Sequence, residues 1–66
     1  MELLILKSGE KYIRFKDDQY LLVRLEKASV FPLDQMDVVR QHEFSLKEQG
    51  VNNVRIKKLV LIERDI

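Results

Sequence analysis

The side chains able to do chemistry in this chain are few and scattered. His42 is the single histidine, and there is no cysteine. A metal site needs several ligands at a recognisable spacing, and His42 has only dispersed carboxylates around it, so neither a metal nor a cofactor is expected. As a general base it would need an orienting partner and a cleft. The sequence offers neither, and helical spacing puts His42 on a polar arc, as a surface residue. Asp17 and Asp18 are adjacent, which suits a turn better than a catalytic carboxylate pair. Gly9 and Gly50 stand alone, so no glycine-rich phosphate cradle exists, and Ser8, Ser29 and Ser45 lack the neighbours that activate a nucleophile. The expectation is a protein that is not an enzyme, with no small-molecule substrate inferred.

What remains is binding. Basic groups interleave with aromatics in Tyr12, Arg14, Lys16, Tyr20 and Arg24, with Arg55, Lys57 and Lys58 as a second basic run. On a sheet such a mixture resembles platforms where bases stack and cations meet phosphate. Strand surfaces carry Lys, Arg and Tyr for other reasons too, partly to discourage edge pairing. The overall charge gives this class no support: 12 basic and 11 acidic residues leave a net +1. The two halves of the chain are equally balanced, and no recognisable nucleic-acid-binding motif is present. Nucleic-acid binding therefore stands as the alternative to a protein–protein role.

The elements that must position these groups are marked by sparse punctuation: Ser8-Gly9, Asp17-Asp18, Pro32 and Gly50-Val51-Asn52-Asn53. Glu2–Lys7, Lys11–Lys16 and Tyr20–Leu25 read as three antiparallel strands, the second with strict polar/apolar alternation around Ile13 and Phe15. A three-residue loop at Asp17–Gln19 pairs Phe15 with Leu21 and Ile13 with Val23. It is preferred because a two-residue loop would set Lys11 against Arg24, a like-charge pair. A four-residue first connection puts Leu4 and Leu6 on the core side. Asp34 to Gln49 reads as a helix, capped by Asp34 and ended at Gly50, with Leu33, Met36, Val39, Phe44 and Leu46 in a stripe of about 160°. Glu43 falls near the centre of that stripe and can pair with Lys47 at i,i+4. A rival reading turns Arg40–Leu46 into a strand of a small all-β barrel. Val54–Glu63 is the last strand, with a bulge at Lys57-Lys58 keeping its apolar residues on one face.

The expected fold is a single α+β domain over residues 1–66, ordered β-β-β-α-β. Its four-stranded mixed sheet has the order 3-2-1-4, with the last strand parallel to the first and one helix on one face. Ser29-Val30-Phe31-Pro32-Leu33 is apolar for a connection, and Val30 or Phe31 is expected to plug the core beneath the helix.

One helix covers one sheet face. Leu3, Ile5, Tyr12, Leu22, Val60 and Ile62 are expected on the other, as an interface for a homodimer or another protein. A chain of 66 residues also buries a marginal core, which favours self-association. The leading expectation is a small non-catalytic interaction or assembly module, homodimeric. The longest early apolar run, Leu3–Leu6, is far short of a signal or membrane segment. With no cysteine, a cytoplasmic location is the default expectation.

Overall fold

A computed structural model describes residues 1–65. Strands β1 (Glu2–Ser8), β2 (Lys11–Lys16) and β3 (Gln19–Val23) are followed by a 3-10 turn at Leu25–Lys27 and the two-residue strand β4 (Phe31–Pro32). A second 3-10 turn at Leu33–Gln35 leads into helix α1 (Met36–Glu48), and β5 (Val54–Val60) completes the sheet. The fold is α+β, as expected, and the sheet is not closed into a barrel; its order is β3-β2-β1-β4, with β5 on β1. Arg40–Leu46 lies within the helix. No helix among the described residues is long and apolar enough to cross a membrane.

The last strand lies beside the first, as the order 3-2-1-4 required, but it runs antiparallel to it, so the sheet is antiparallel and not mixed. The reason is β4, the strand that the sequence reading did not count. Strand β4 also runs antiparallel to β1, so β4 and β5 run parallel to each other, with β1 between them. The helical crossover does join two strands of the same direction. They are β4 and β5, not the third strand and the last.

Strand β1 takes β5 along its whole length, from Glu2–Val60 to Ser8–Val54, with no bulge at Lys57-Lys58. Its other edge is shared. Strand β2 pairs only at Lys7–Tyr12 and Ser8–Lys11, and β4 takes over at Leu3–Pro32 and Leu4–Phe31. Where β2 leaves β1, Ser29 fills its open edge: its amide donates to the Ile13 carbonyl at 3.0 Å, and its hydroxyl accepts from the Phe15 amide at 2.9 Å. Residues 29–32 thus form a wedge that splays the β2–β3 hairpin away from β1. Phe31 is the plug of the apolar connection, packed against the core, whereas Val30 is 48% exposed.

Both hairpin loops are tighter than expected. Gly9-Glu10 replaces the four-residue connection, with Gly9 at φ 59°. Because the two loops differ by an even number of residues, Leu4 and Leu6 still face the core. The β2–β3 turn is the two residues Asp17 and Asp18, at φ 53° and 60°. Positive φ at both central positions belongs to the type I′ turn, whose twist matches the flanking strands, and aspartate is among the few residues that tolerate it. The objection to this register disappears because β3 ends at Val23, before Arg24 could face Lys11. Ile13 then opposes Leu22, and Phe15 opposes Tyr20. Leu21 and Val23 therefore turn away from the helix, and Tyr20 turns toward it.

The helix begins at Met36, after the 3-10 turn, and no side chain caps it: the N-cap position is Gln35, and Asp34 makes no capping bond. Its end is a Schellman motif. The Val51 amide donates to the Leu46 carbonyl, the Gly50 amide donates to that of Lys47, and Gly50 sits at φ 84°. The buried stripe is Val39 and Leu46, joined by half-buried His42 and Glu43, while Phe44 is 66% exposed. Glu43 sits between Arg40 at 3.6 Å and Lys47 at 3.5 Å. Leu4, Leu6 and Ile13 from the sheet meet Val39 and Leu46 from the helix, and Val54 closes one end of the cluster.

Leu46→Ala should lower unfolding free energy by about 2–5 kcal/mol through the cavity it leaves. Phe44→Ala should stay within about 0.5 kcal/mol. Urea denaturation of the two variants checks this ranking, and a larger loss for Phe44 would mean that the helix is rotated from this position.

Candidate interaction surfaces

Register decides which side chains share a surface. On the face away from the helix, Leu3 lies opposite Leu59, Ile5 opposite Lys57, and Lys7 opposite both Arg55 and Tyr12. Across the second hairpin, Tyr12, Arg14 and Lys16 face Val23, Leu21 and Gln19. The strands therefore contribute five cations to this outer face, Lys7, Arg14, Lys16, Arg55 and Lys57, and no carboxylate. Lys7 and Arg55 are directly opposed, an arrangement that costs stability. The Lys7 ammonium sits 5.1 Å from the centroid of the Tyr12 ring, a cation–π contact that offsets part of that cost. Carboxylates gather on the other side, where Glu2 pairs with Lys58 at 3.6 Å and Asp37, Glu43 and Glu48 lie on the helix. The net charge of +1 conceals this separation.

The outer face is not bare. Arg14 donates from Nη1 to the Lys27 carbonyl at 3.0 Å, which ties the Leu25–Lys27 turn to that side of β2. Ile5 is only 3% exposed.

Of the residues expected to form an apolar interface, Leu3, Ile5 and Tyr12 share the outer face. Leu22 and Val60 have the opposite parity, beside Ile13 and Glu2, and Ile62 follows the end of β5, 72% exposed. Two shifts account for this: the tighter β2–β3 turn moves Leu22, and the absent bulge moves Val60. The basic and aromatic set divides in the same way. Tyr12, Arg14, Lys16, Arg55 and Lys57 stand together. Tyr20 and Lys58 face the helix side, and Arg24 falls just beyond β3.

The splayed hairpin opens a groove of about 630 Å³ against the helix, lined by Phe15, Asp17, Asp18 and Tyr20 on one wall and by His42, Ser45 and Gln49 on the other. His42 is not the free surface residue that the sequence suggested. Its ring stacks on Phe15 at 4.2 Å between centroids and 27° between planes, and it lies 5.7 Å from Phe31. Phe15 also meets Phe31 edge-on at 6.3 Å. The spacing Val39, His42, Leu46 was the available signal, and the larger apolar Phe44 drew the predicted stripe away from it. Among the described residues no side-chain hydrogen bond orients His42, and no group of three or more metal-ligating side chains comes together. The ring acts in packing, as one wall of an aromatic cluster.

Outermost in the sheet, β5 has β1 as its single partner among the described residues. Leu61 and Met1 exchange two hydrogen bonds, at 2.8 and 3.0 Å. The alternation of an antiparallel ladder then points the amides and carbonyls of Val54, Ile56, Lys58 and Val60 outward, away from β1. Val60, Leu61 and Ile62 beside this edge are 50%, 47% and 72% exposed.

Removing the aromatic stack by His42→Ala should cost about 1 kcal/mol or more, while His42→Phe should hold stability close to wild type. Thermal unfolding of both variants checks this, and an unchanged midpoint for His42→Ala would return the residue to the surface. No family model, no curated protein and no solved structure matches this chain.

Proposed function

We propose that this chain is a small non-catalytic assembly module that self-associates into a homodimer through its sheet. The observation that carries the reading is the open edge of β5. Strand β5 runs seven residues without a bulge, the backbone groups of Val54, Ile56, Lys58 and Val60 point outward, and Val60, Leu61 and Ile62 at its end are exposed. An unpaired edge with no bulge and no proline is a template for another strand, and Arg55, Lys57 and Lys58 are the charges that a partner strand has to meet. The core supports the same reading, since seven apolar side chains are its buried content among the described residues, and a second copy would add to it. The outer face, favoured from the sequence as the dimer surface, is a poorer candidate because its cations would meet their own kind across a two-fold axis. The non-catalytic reading rests on His42, which is held by aromatic packing and not by an orienting carboxylate. A chain that builds its fold with no cysteine suits the cytoplasm, where we place it.

A second reading has its own observation: the five cations that the strands set on the outer face around Tyr12, with no strand carboxylate among them, fit single-stranded nucleic acid, with phosphates on the cations and a base against the ring. The two surfaces meet at Arg55 and Lys57, which lie on the outer face of β5 itself.

Sedimentation should give a species of twice the 7.9 kDa chain at tens of micromolar, dissociating on dilution; a monomer throughout contradicts the dimer. Oligonucleotide titration tests the second reading. Four or five phosphate contacts should give a log–log salt slope of roughly −3 on single strands, and absence of low-salt binding at micromolar protein removes it.

A further inference from the structure

The β5 edge carries its own register code for a second copy. Residues 61–65 follow β5 in the chain, are exposed, and have no strand assignment. They bring two carboxylates, Glu63 and Asp65, to positions of the same parity as Arg55 and Lys57. An antiparallel pair of identical strands related by a two-fold axis pairs residues whose numbers have a constant even sum. Each choice of sum therefore makes a definite set of partners.

We propose that two copies pair antiparallel along β5 and the residues after it, with the two-fold axis at Val60. Lys57 then faces Glu63 of the second copy, Arg55 faces Asp65, and Leu59 faces Leu61. All three pairs lie on the outer face, and the symmetry doubles each of them. On the helix side Val60 meets its own equivalent, and Lys58 meets Ile62. Backbone parity agrees, because Val60, Lys58 and Ile56 are the residues whose amides and carbonyls point outward. They form the hydrogen-bonded pairs, which leaves the charged and leucine pairs at the closer, non-hydrogen-bonded positions. Neighbouring registers fit less well. An axis at Lys58 or Lys57 sets lysine against lysine, and an axis at Leu61 sets Lys58 against Arg64. An axis at Leu59 moves Arg55 from Asp65 to Glu63 but loses the Lys57 ion pair, setting Lys57 against Leu61. The Val60 register converts Arg55 and Lys57, which are otherwise surrounded by like charge, into paired groups.

The inference rests on the self-association reading, and the test separates the two. The chain has no cysteine, so Val60→Cys and Lys58→Cys variants each carry one thiol. Paired Cα atoms at the axis are about 5.5 Å apart, within disulfide reach. Equivalent thiols introduced at position 58 would be separated by about four residues of strand rise, about 14 Å, which is out of reach. Mild oxidation should therefore convert Val60→Cys to a covalent dimer and leave Lys58→Cys monomeric on a denaturing gel. In sedimentation, Lys57→Glu should raise the dimer dissociation constant about tenfold, and adding Glu63→Lys in the same chain should restore it. If wild type sediments as a dimer but Lys58→Cys crosslinks as readily as Val60→Cys, or the charge exchange gives no rescue, the register is wrong and self-association stands. A monomeric wild type overturns both.

Discussion

Everything in this fold depends on keeping β1 saturated on both edges. It is the strand with buried apolar side chains on both faces: Leu4 and Leu6 look into the helix-covered core, and Ile5, equally buried, looks the other way. Strand β5 satisfies one edge over seven residues. The other edge is satisfied in relay, first by the start of β2 and then by Phe31-Pro32. Had β2 stayed against β1 for its full length, there would be no place for Phe31, and the aromatic cluster of Phe15, Phe31 and His42 could not form. The wedge that completes β1 is also what swings the hairpin outward and opens the groove against the helix.

Strict alternation then sorts the charge. Because β5 carries no bulge, Lys57 and Lys58 fall on opposite faces. Lys58 joins Glu2 on the helix side, and Lys57 joins Arg55 and Lys7 on the outer face. A nearly neutral composition thus becomes a sheet with a cationic outer side. The cost is visible in the Lys7–Arg55 pair, which two neighbours relieve only in part: the Tyr12 ring beside Lys7 and, in the proposed dimer, Asp65 beside Arg55.

Most of the architecture was legible in the residues because it follows from strong periodicity. The alternation of Lys11–Lys16 and the run from Val54 mark strands, and Gly50 marks the end of the helix through a conformation that glycine adopts easily. The direction of the last strand was not legible, since it turned on a two-residue strand too short to leave a pattern. The hairpin register was misread by weighing one like-charge pair above turn chemistry. Asp17-Asp18 is itself the stronger signal, and β3 ends before the offending pair can form. The surfaces inherited these errors, because a one-residue change in turn length moves a whole strand's side chains to the other face. Five of the eight basic and aromatic residues stayed together, on β2 and on the Val54–Lys57 part of β5, where polar and apolar residues alternate without a break.

In the proposed dimer β5 gains a second neighbour and becomes a central strand. Amide hydrogen exchange followed residue by residue across a hundredfold range of protein concentration tests it most directly. The amides of Lys57 and Leu59, which point toward β1, should be protected at every concentration, whereas those of Ile56, Lys58 and Val60 should exchange rapidly when dilute and slow markedly as concentration rises. Equal and unchanging rates at Ile56, Lys58 and Val60 over the whole range would contradict it.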